Sequence, residues 1–174
     1  MDYNSLHTFK NFARKYLDPK ESFEILDIGS KSWDNPKRNF TFRRYFSPNW
    51  KYVGLDLSPG HNVDIVSEDP AHYPLPDNDF SVVICSSILE HATDPFAVAK
   101  EIGRILKPNG FAFVTVPYRR NLHNCPGDFW RMTCDGLSLL MKDIAMLEVL
   151  ESYFIGTKSI DSVCVAKKLS TSPL

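Results

Sequence analysis

The sequence predicts an α/β domain: a mostly parallel sheet with helices on both faces, finished by an antiparallel hairpin at its C-terminal edge. Three observations predict it. Strand-like runs alternate with helical patterns through much of the chain. Several of those runs are apolar throughout, as strands covered on both faces must be. The last two runs are separated only by a turn around Gly156, which is too short for a parallel crossover.

Taken in order, Leu6, Phe9, Ala13, Tyr16 and Leu17 recur at helical spacing, and Asp18-Pro19 stops that helix. Phe23 to Ile28 is a short apolar strand running into Gly29-Ser30. Lys31 to Trp50 is polar, basic and aromatic, with Pro36 and Pro48 inside it, and reads as a broken helix or ordered loop. Tyr52 to Leu57 is a second strand, closed by Ser58-Pro59-Gly60, and Val63 to Val66 a short third. Pro70, Pro74 and Pro76 make Asp69 to Asp79 a loop or a single helical turn. Phe80 to Cys85 is a fourth, fully apolar strand.

The next helix has the clearest start. Thr93 or Asp94 can cap it and Pro95 suits its first position. Phe96, Ala99, Ile102 and Leu106 form its apolar stripe, and Lys107-Pro108-Asn109-Gly110 is expected to end it. Phe111 to Val116 is a fifth strand, and Tyr118 to Arg131 a long aromatic loop. Asp135 to Ile144 reads as helix. Leu147 to Phe154 and Ser159 to Ala166 form the closing hairpin. The reading is of a single domain over residues 1–174, with an N-terminal helix in 1–20 and the core in 21–170.

At 174 residues, with 43% hydrophobic and 24% charged residues, the chain can bury a continuous core without disulfides or a structural metal. Its net charge of −1 gives no general field to attract nucleic acid or an anionic membrane. Cys85, Cys125, Cys134 and Cys164 contain no C-x-x-C pair. No zinc site is expected from them, no metal is assigned, and unpaired thiols suit a reducing compartment. No secretory signal or membrane-length apolar run is visible, so the expected location is the cytoplasm.

In an open parallel sheet, ligands bind beyond the carboxyl ends of the strands, where the strand order switches. The residues at those ends are Asp27-Ile28-Gly29-Ser30, Asp56-Leu57, Glu68-Asp69, Ser86-Ser87 and Pro117-Tyr118. Asp56, ending the second strand, is suited to bridge two ribose hydroxyls. Glu68 or Asp69 can accept adenine amino hydrogens. Asp27 and the Gly29 backbone would face the other end of the ligand. Gly29 is followed by Ser-Lys-Ser-Trp rather than G-x-G-x-x-G, so nothing is suited to a pyrophosphate. A nucleoside with a zwitterionic tail fits better than a dinucleotide.

Five segments carry a family resemblance. Ile25-Leu26-Asp27-Ile28-Gly29-Ser30 resembles the first motif of the class I S-adenosylmethionine-dependent methyltransferases, and Tyr52 to Ser58 the second. Tyr73 to Phe80 resembles the stretch before the family's fourth strand. Ile88-Leu89-Glu90-His91 with Asp94-Pro95 is similar to its L-E-H segment. Glu101 to Gly110 resembles its E-x-x-R-V-L-K-P-G-G helix end. The resemblance, closest to the type 11-like methyltransferase domain, runs in register from Phe23 to Val116 and less tightly to Leu140. It implies a Rossmann-like fold and methyl transfer from S-adenosylmethionine, leaving S-adenosylhomocysteine. It implies Asp56 on the ribose and Asp69 near the adenine; with the strand-end reading, the candidate donor contacts are Asp27, Gly29, Ser30, Asp56, Leu57, Glu68, Asp69 and Ser86. Lys31 and Trp33 replace further glycines of the first motif, Ser81 replaces a common Asp, and Pro70 lacks an N–H.

His91, just past the fourth strand, and His123, in the loop after the fifth, are the candidate proton acceptors, since a neutral imidazole is matched to neutral pH. Either can instead be a loop histidine held by nearby backbone. With no appended domain visible, a small-molecule or sugar-like acceptor is expected, with neither membrane nor nucleic acid as partner. Two other readings stand beside this one. One is a binding or regulatory module that keeps the fold without the chemistry. The other is a nucleic-acid methyltransferase, resting on Lys37, Arg38, Arg43 and Arg44. That basic stretch more often forms a solvated face with Phe40, Phe42 and Tyr45 turned inward.

Overall fold

The computed structural model describes residues 3–32, 41–123 and 127–170. Trp33, Lys37, Arg38, Phe40 and Cys125 lie outside the described residues. Among the described residues seven strands form one sheet: β1 (Phe23–Ile28), β2 (Trp50–Asp56), β3 (Ile65–Val66), β4 (Phe80–Ser86), β5 (Leu106–Arg119), β6 (Glu148–Ile155) and β7 (Ile160–Lys167). Their order is β3-β2-β1-β4-β5-β7-β6. The first five are parallel, and β7 runs antiparallel between β5 and β6. The expected parallel sheet with an antiparallel edge hairpin is what forms.

Helices cover both faces. On one, α1 (Tyr3–Tyr16) packs Leu6, Phe9, Phe12 and Ala13 against Ile25, Val82, Ile84, Phe113, Val163 and Val165. Phe9 has no exposed surface, and its ring sits 4.8 Å from that of Phe42 and 5.4 Å from that of Phe113. Burying one such ring contributes on the order of 1.5–3 kcal/mol. Phe42 opens a single 3₁₀ turn (Phe42–Tyr45), so the segment after β1 turns that aromatic inward. Arg43 stacks over the Tyr52 ring and pairs with Asp64.

On the other face lie α2 (Pro95–Ile105) and α3 (Cys134–Leu139), the latter continued by a π turn, Leu140–Ile144. Asp94 caps α2 by accepting from the Phe96 and Ala97 N–H groups, both at 3.0 Å, and Pro95 occupies its first turn as expected. The helix ends at Ile105, earlier than the Lys107–Gly110 turn signal suggested. Leu106 to Gly110 instead opens β5, with Asn109 at φ 66, and is tied to the sheet because Asn109 N–H donates to Lys168 O and Lys168 N–H donates to Gly110 O. These pairings come from the far end of the chain. No helix among the described residues is long and apolar enough to cross a membrane.

Candidate active site

The strand order reverses between β1 and β4, whose carboxyl ends lie side by side, with Ile28 opposite Cys85. The loops leaving β1, β2, β3 and β4 meet along this edge.

At the end of β1, Gly29 takes φ +74, and a Cβ there would lie 1.8 Å from Cδ1 of Ile88. Only glycine accommodates both demands. The Gly29 and Ser30 N–H groups donate to Leu55 O at 2.8 and 3.1 Å, and Lys31 N–H donates to Asp56 Oδ2 at 3.1 Å. Three successive amides of this loop are thus spent within the protein. The Ser30 hydroxyl, buried, has no hydrogen-bond partner among the described residues. Asp27 turns inward: it is buried and accepts the Tyr52 hydroxyl at 2.5 Å. Burial pushes its carboxyl up to about 7 against the opposing Tyr52 hydrogen bond.

Asp56 ends β2 half-buried. Its Oδ1 accepts from Ser58 N–H at 3.2 Å, and Leu57 beside it is 54% exposed. Glu68 and Asp69 are both exposed after β3. Asp69 Oδ1 accepts from Ala71 N–H at 2.7 Å, and a shallow depression lined by Pro70, Ala71, Ala92, Thr93 and Asp94 adjoins it. Ser86 lies under this edge instead of facing it, buried with its hydroxyl 2.8 Å from that of Thr115.

Beyond β4, Ser87 is held at φ 56, and the chain turns at once into Ile88 to His91. A non-glycine residue in that region marks a backbone constrained by its surroundings. The turn brings together a cluster that sequence reasoning named only in part. His91 Nε2 is 3.7 Å from Glu90 Oε1, and His123 Nε2 is 4.0 Å from the same atom. The two imidazoles meet edge to face, with centroids 5.2 Å apart. His91 Nδ1 meets Gly127 O and His123 Nδ1 meets Asn121 O, so both histidines are held by backbone as well as facing the cluster. Glu90 was legible only as part of the L-E-H resemblance. Its side chain is wholly buried, neither carboxylate oxygen has a hydrogen-bond partner among the described residues, and burial pushes it up to about 7.

The returning loop closes over this cluster. Phe129 and Trp130 N–H donate to Glu90 O at 2.7 and 3.3 Å, and the Trp130 indole donates to Ala92 O at 2.9 Å. Leu122, Phe129 and Trp130 nonetheless remain exposed, forming an apolar rim. Sequence reasoning also missed why Glu101 and Arg104 stand three apart. Glu101 accepts Tyr73 N–H, while Arg104 bonds Glu101, Asp77 and the carbonyls of Tyr73 and Leu75. The pair moors the loop that leads into β4.

Fold and strand ends together define an α/β protein with carboxylates along the switch-point edge of its sheet. A profile described as a methyltransferase domain matches residues 39–114. The chain is 25% identical over 117 residues to a demethylmenaquinone methyltransferase of Staphylococcus saprophyticus, covering 59% of this chain and 48% of that protein. It thus spans about half the length of the curated relatives it matches. Among solved structures it superposes on 1,6-didemethyltoxoflavin-N1-methyltransferase of Burkholderia thailandensis, solved with 1,6-didemethyltoxoflavin and S-adenosylhomocysteine bound. There the TM-score is 0.74 at 14% identity, over 97% of this chain and 80% of that one. An S-adenosylmethionine-dependent methyltransferase from Methanosarcina mazei gives a TM-score of 0.66 at 20% identity, over 91% and 97%. The chain therefore has the fold of these solved methyltransferases, and its residues 39–114 are similar to a methyltransferase domain.

Proposed function

We propose that this protein transfers a methyl group from S-adenosylmethionine to a small, ring-bearing acceptor. One observation carries the reading. A half-buried carboxylate with an exposed apolar neighbour (Asp56, Leu57) stands at one strand end, and a buried carboxylate without a hydrogen-bond partner among the described residues (Glu90), faced by His91 and His123, follows the strand beside the switch point.

The residues suit the donor chiefly at its adenosine half. Asp56 has about four lone-pair sites, and only part of that capacity is spent on Lys31 and Ser58. It can therefore accept from ribose hydroxyls while Leu57 covers the base. The exposed Asp69 carboxylate is positioned to accept from the adenine amino group, with Glu68 as its neighbour. At the other half, the partnerless Ser30 hydroxyl offers a bond, whereas the Gly29, Ser30 and Lys31 amides already have partners. Asp27 acts from behind, on the Tyr52 hydroxyl.

When bound, the donor supplies an electrophilic methyl on sulfonium and leaves as S-adenosylhomocysteine. The protein's part is alignment and exclusion of water, which can supply much of the rate of an in-line displacement. Leu122, Phe129 and Trp130 offer an apolar rim for an aromatic ring. The Glu90, His91 and His123 lone pairs offer acceptors for the proton that the nucleophile gives up. The name of the Staphylococcus relative, a demethylmenaquinone methyltransferase, points to the same acceptor class.

Calorimetric titration with S-adenosylmethionine and S-adenosylhomocysteine, with Asp56→Ala alongside, tests this. Binding of both by the wild type, lost in the variant, is expected. A panel of hydroxylated aromatics with methyl-labelled donor then identifies the acceptor. A folded wild type that binds neither ligand would overturn the reading in favour of a module without the chemistry.

A further inference from the structure

We propose that Glu90, His91 and His123 form a binding site for a single divalent first-row transition cation. The site stands on its own geometry, and only its use in catalysis rests on the methyltransferase reading.

Proton accounting comes first. Gly127 O can only accept, so His91 Nδ1 must carry the proton of a neutral ring. The lone pair is left on Nε2, which faces Glu90 Oε1 at 3.7 Å. His123 Nδ1 likewise faces two acceptors, Asn121 O and Asp128 Oδ2, both at 3.3 Å. Its lone pair is therefore also on Nε2, 4.0 Å from Glu90 Oε1. Two imidazole lone pairs and a carboxylate converge, with all three ligand atoms within 4.8 Å of one another. Neither separation from Oε1 is a hydrogen bond. Among the described residues neither oxygen of this wholly buried carboxylate has a hydrogen-bond partner, which is costly, and three facing acceptors repel unless a proton or a cation lies between them.

The supporting groups are those a metal site uses. A ligating histidine typically donates its other N–H to a carbonyl or carboxylate, which fixes ring and tautomer. Gly127 O does this for His91, and Asn121 O and Asp128 do it for His123. Asp128 is itself gripped by Arg131 through Nη1 at 2.5 Å and Nη2 at 2.7 Å. Zinc–nitrogen and zinc–oxygen bonds of about 2.1 Å put tetrahedral ligand atoms roughly 3.4 Å apart. Closing on an ion thus requires shifts well below an ångström at each ligand.

His91 and His123 are 19% and 36% exposed, so the cluster opens toward the apolar rim. Two histidines and one carboxylate with a free position is a donor set for zinc or ferrous iron. With those lone pairs taken up by the metal, they no longer accept the proton directly; an acceptor hydroxyl oxygen in the free position would instead lose it to water more readily. That oxygen would then attack the methyl carbon while the sulfur–carbon pair returns to sulfur.

The test uses the chelator-stripped chain, titrated with Co²⁺ by visible absorption and with Zn²⁺ by calorimetry, with Mg²⁺ as control. One equivalent of Co²⁺ giving ligand-field bands, matched by Zn²⁺ and not by Mg²⁺, is expected. Glu90→Gln and His123→Ala should each weaken binding at least ~100-fold, and Asp128→Asn by roughly 10–100-fold. A folded wild type that takes up neither Co²⁺ nor Zn²⁺ overturns the site. So does binding that persists at wild-type affinity in both Glu90→Gln and His123→Ala, since the metal then sits elsewhere. S-adenosylmethionine titrated into the same samples separates the two readings: donor binding without metal binding sinks only the metal site, and metal binding without donor binding sinks only the methyltransferase.

Discussion

Arg131 holds Asp128 in a two-pronged grip, and Asp128 Oδ2 in turn accepts the His123 N–H at 2.9 Å. A carboxylate with no exposed surface, charged and paired on both oxygens, thereby sets the backbone of the loop that carries His123. The guanidinium holds that carboxyl far below the usual carboxylate range. Lysine cannot reproduce the parallel fork. Arg131→Lys should cost about 1–3 kcal/mol, from loss of a charge-assisted pair around a buried anion. Denaturant unfolding checks this. The same variant should loosen His123 more than His91, which is visible as a selective change in the His123 ring signals by NMR. A melting curve unchanged from wild type would mean the fork contributes nothing.

Gly29 gives a prediction with two separable parts. Gly29→Ala places a methyl into Ile88 and forces φ +74 on a residue with a Cβ. The backbone part alone is of order 1–3 kcal/mol. Adding Ile88→Ala removes the clash and leaves the backbone cost. Gly29→Ala should therefore cost less in the Ile88→Ala background than in the wild type, and a double-mutant cycle by chemical denaturation measures the difference. Strict additivity would show that Ile88 does not occupy that space in solution.

Asp27 makes stability depend on pH in an identifiable direction. The groups around it are Tyr52, which donates to it, Asp56, which opposes its charge, and Arg43, which favours it. The net result is a carboxyl raised from 3.8 to about 7 in the folded protein. Between those values the folded state keeps a proton that the unfolded chain releases. Its contribution is therefore fully present below pH 3.8 and is lost as pH rises to about 7, at up to ~1.4 kcal/mol per pH unit. Asp27→Asn lacks this slope. Wild type minus variant, followed by urea unfolding from pH 4 to 8, should fall across that window and level off above it. A flat difference would place Asp27 in a wetter site than it occupies here.

Local signals account for much of this. Asp94 and Pro95 announce α2 because a cap and its first turn are neighbours in sequence. The apolar Phe23 to Ile28 and Phe80 to Cys85 runs announce buried strands for the same reason. The long start of β5 was not legible, because Lys107-Pro108-Asn109-Gly110 reads as a turn until Lys168 supplies its partners. The site divides in the same way. Asp56 and Asp69 stand at strand ends that sequence alone locates, whereas the inward turn of Asp27 depends on Tyr52 across the sheet. Glu90 and His91 are adjacent in sequence, but His123 reaches them from another loop through Asp128 and Arg131. No local pattern shows that convergence.

Leu57 offers a test that keeps folding apart from binding. At 54% exposure it contributes little to the core, and no side-chain bond depends on it. On the proposed reading its exposed surface is covered by the donor's base. Burying such a side chain is worth on the order of 1.5–3 kcal/mol when complete. Leu57→Ser should therefore leave the thermal midpoint within about a degree or two, since surface substitutions usually stay within roughly 0.5 kcal/mol. It should weaken S-adenosylhomocysteine by about 5- to 30-fold, the equivalent of 1–2 kcal/mol. Asp56→Ala should weaken it further, because that change removes acceptors for ribose hydroxyls. If Leu57→Ser binds the product as tightly as wild type while Asp56→Ala does not, the base lies on another surface, and the depression between Pro70 and Asp94 becomes the place to look for it.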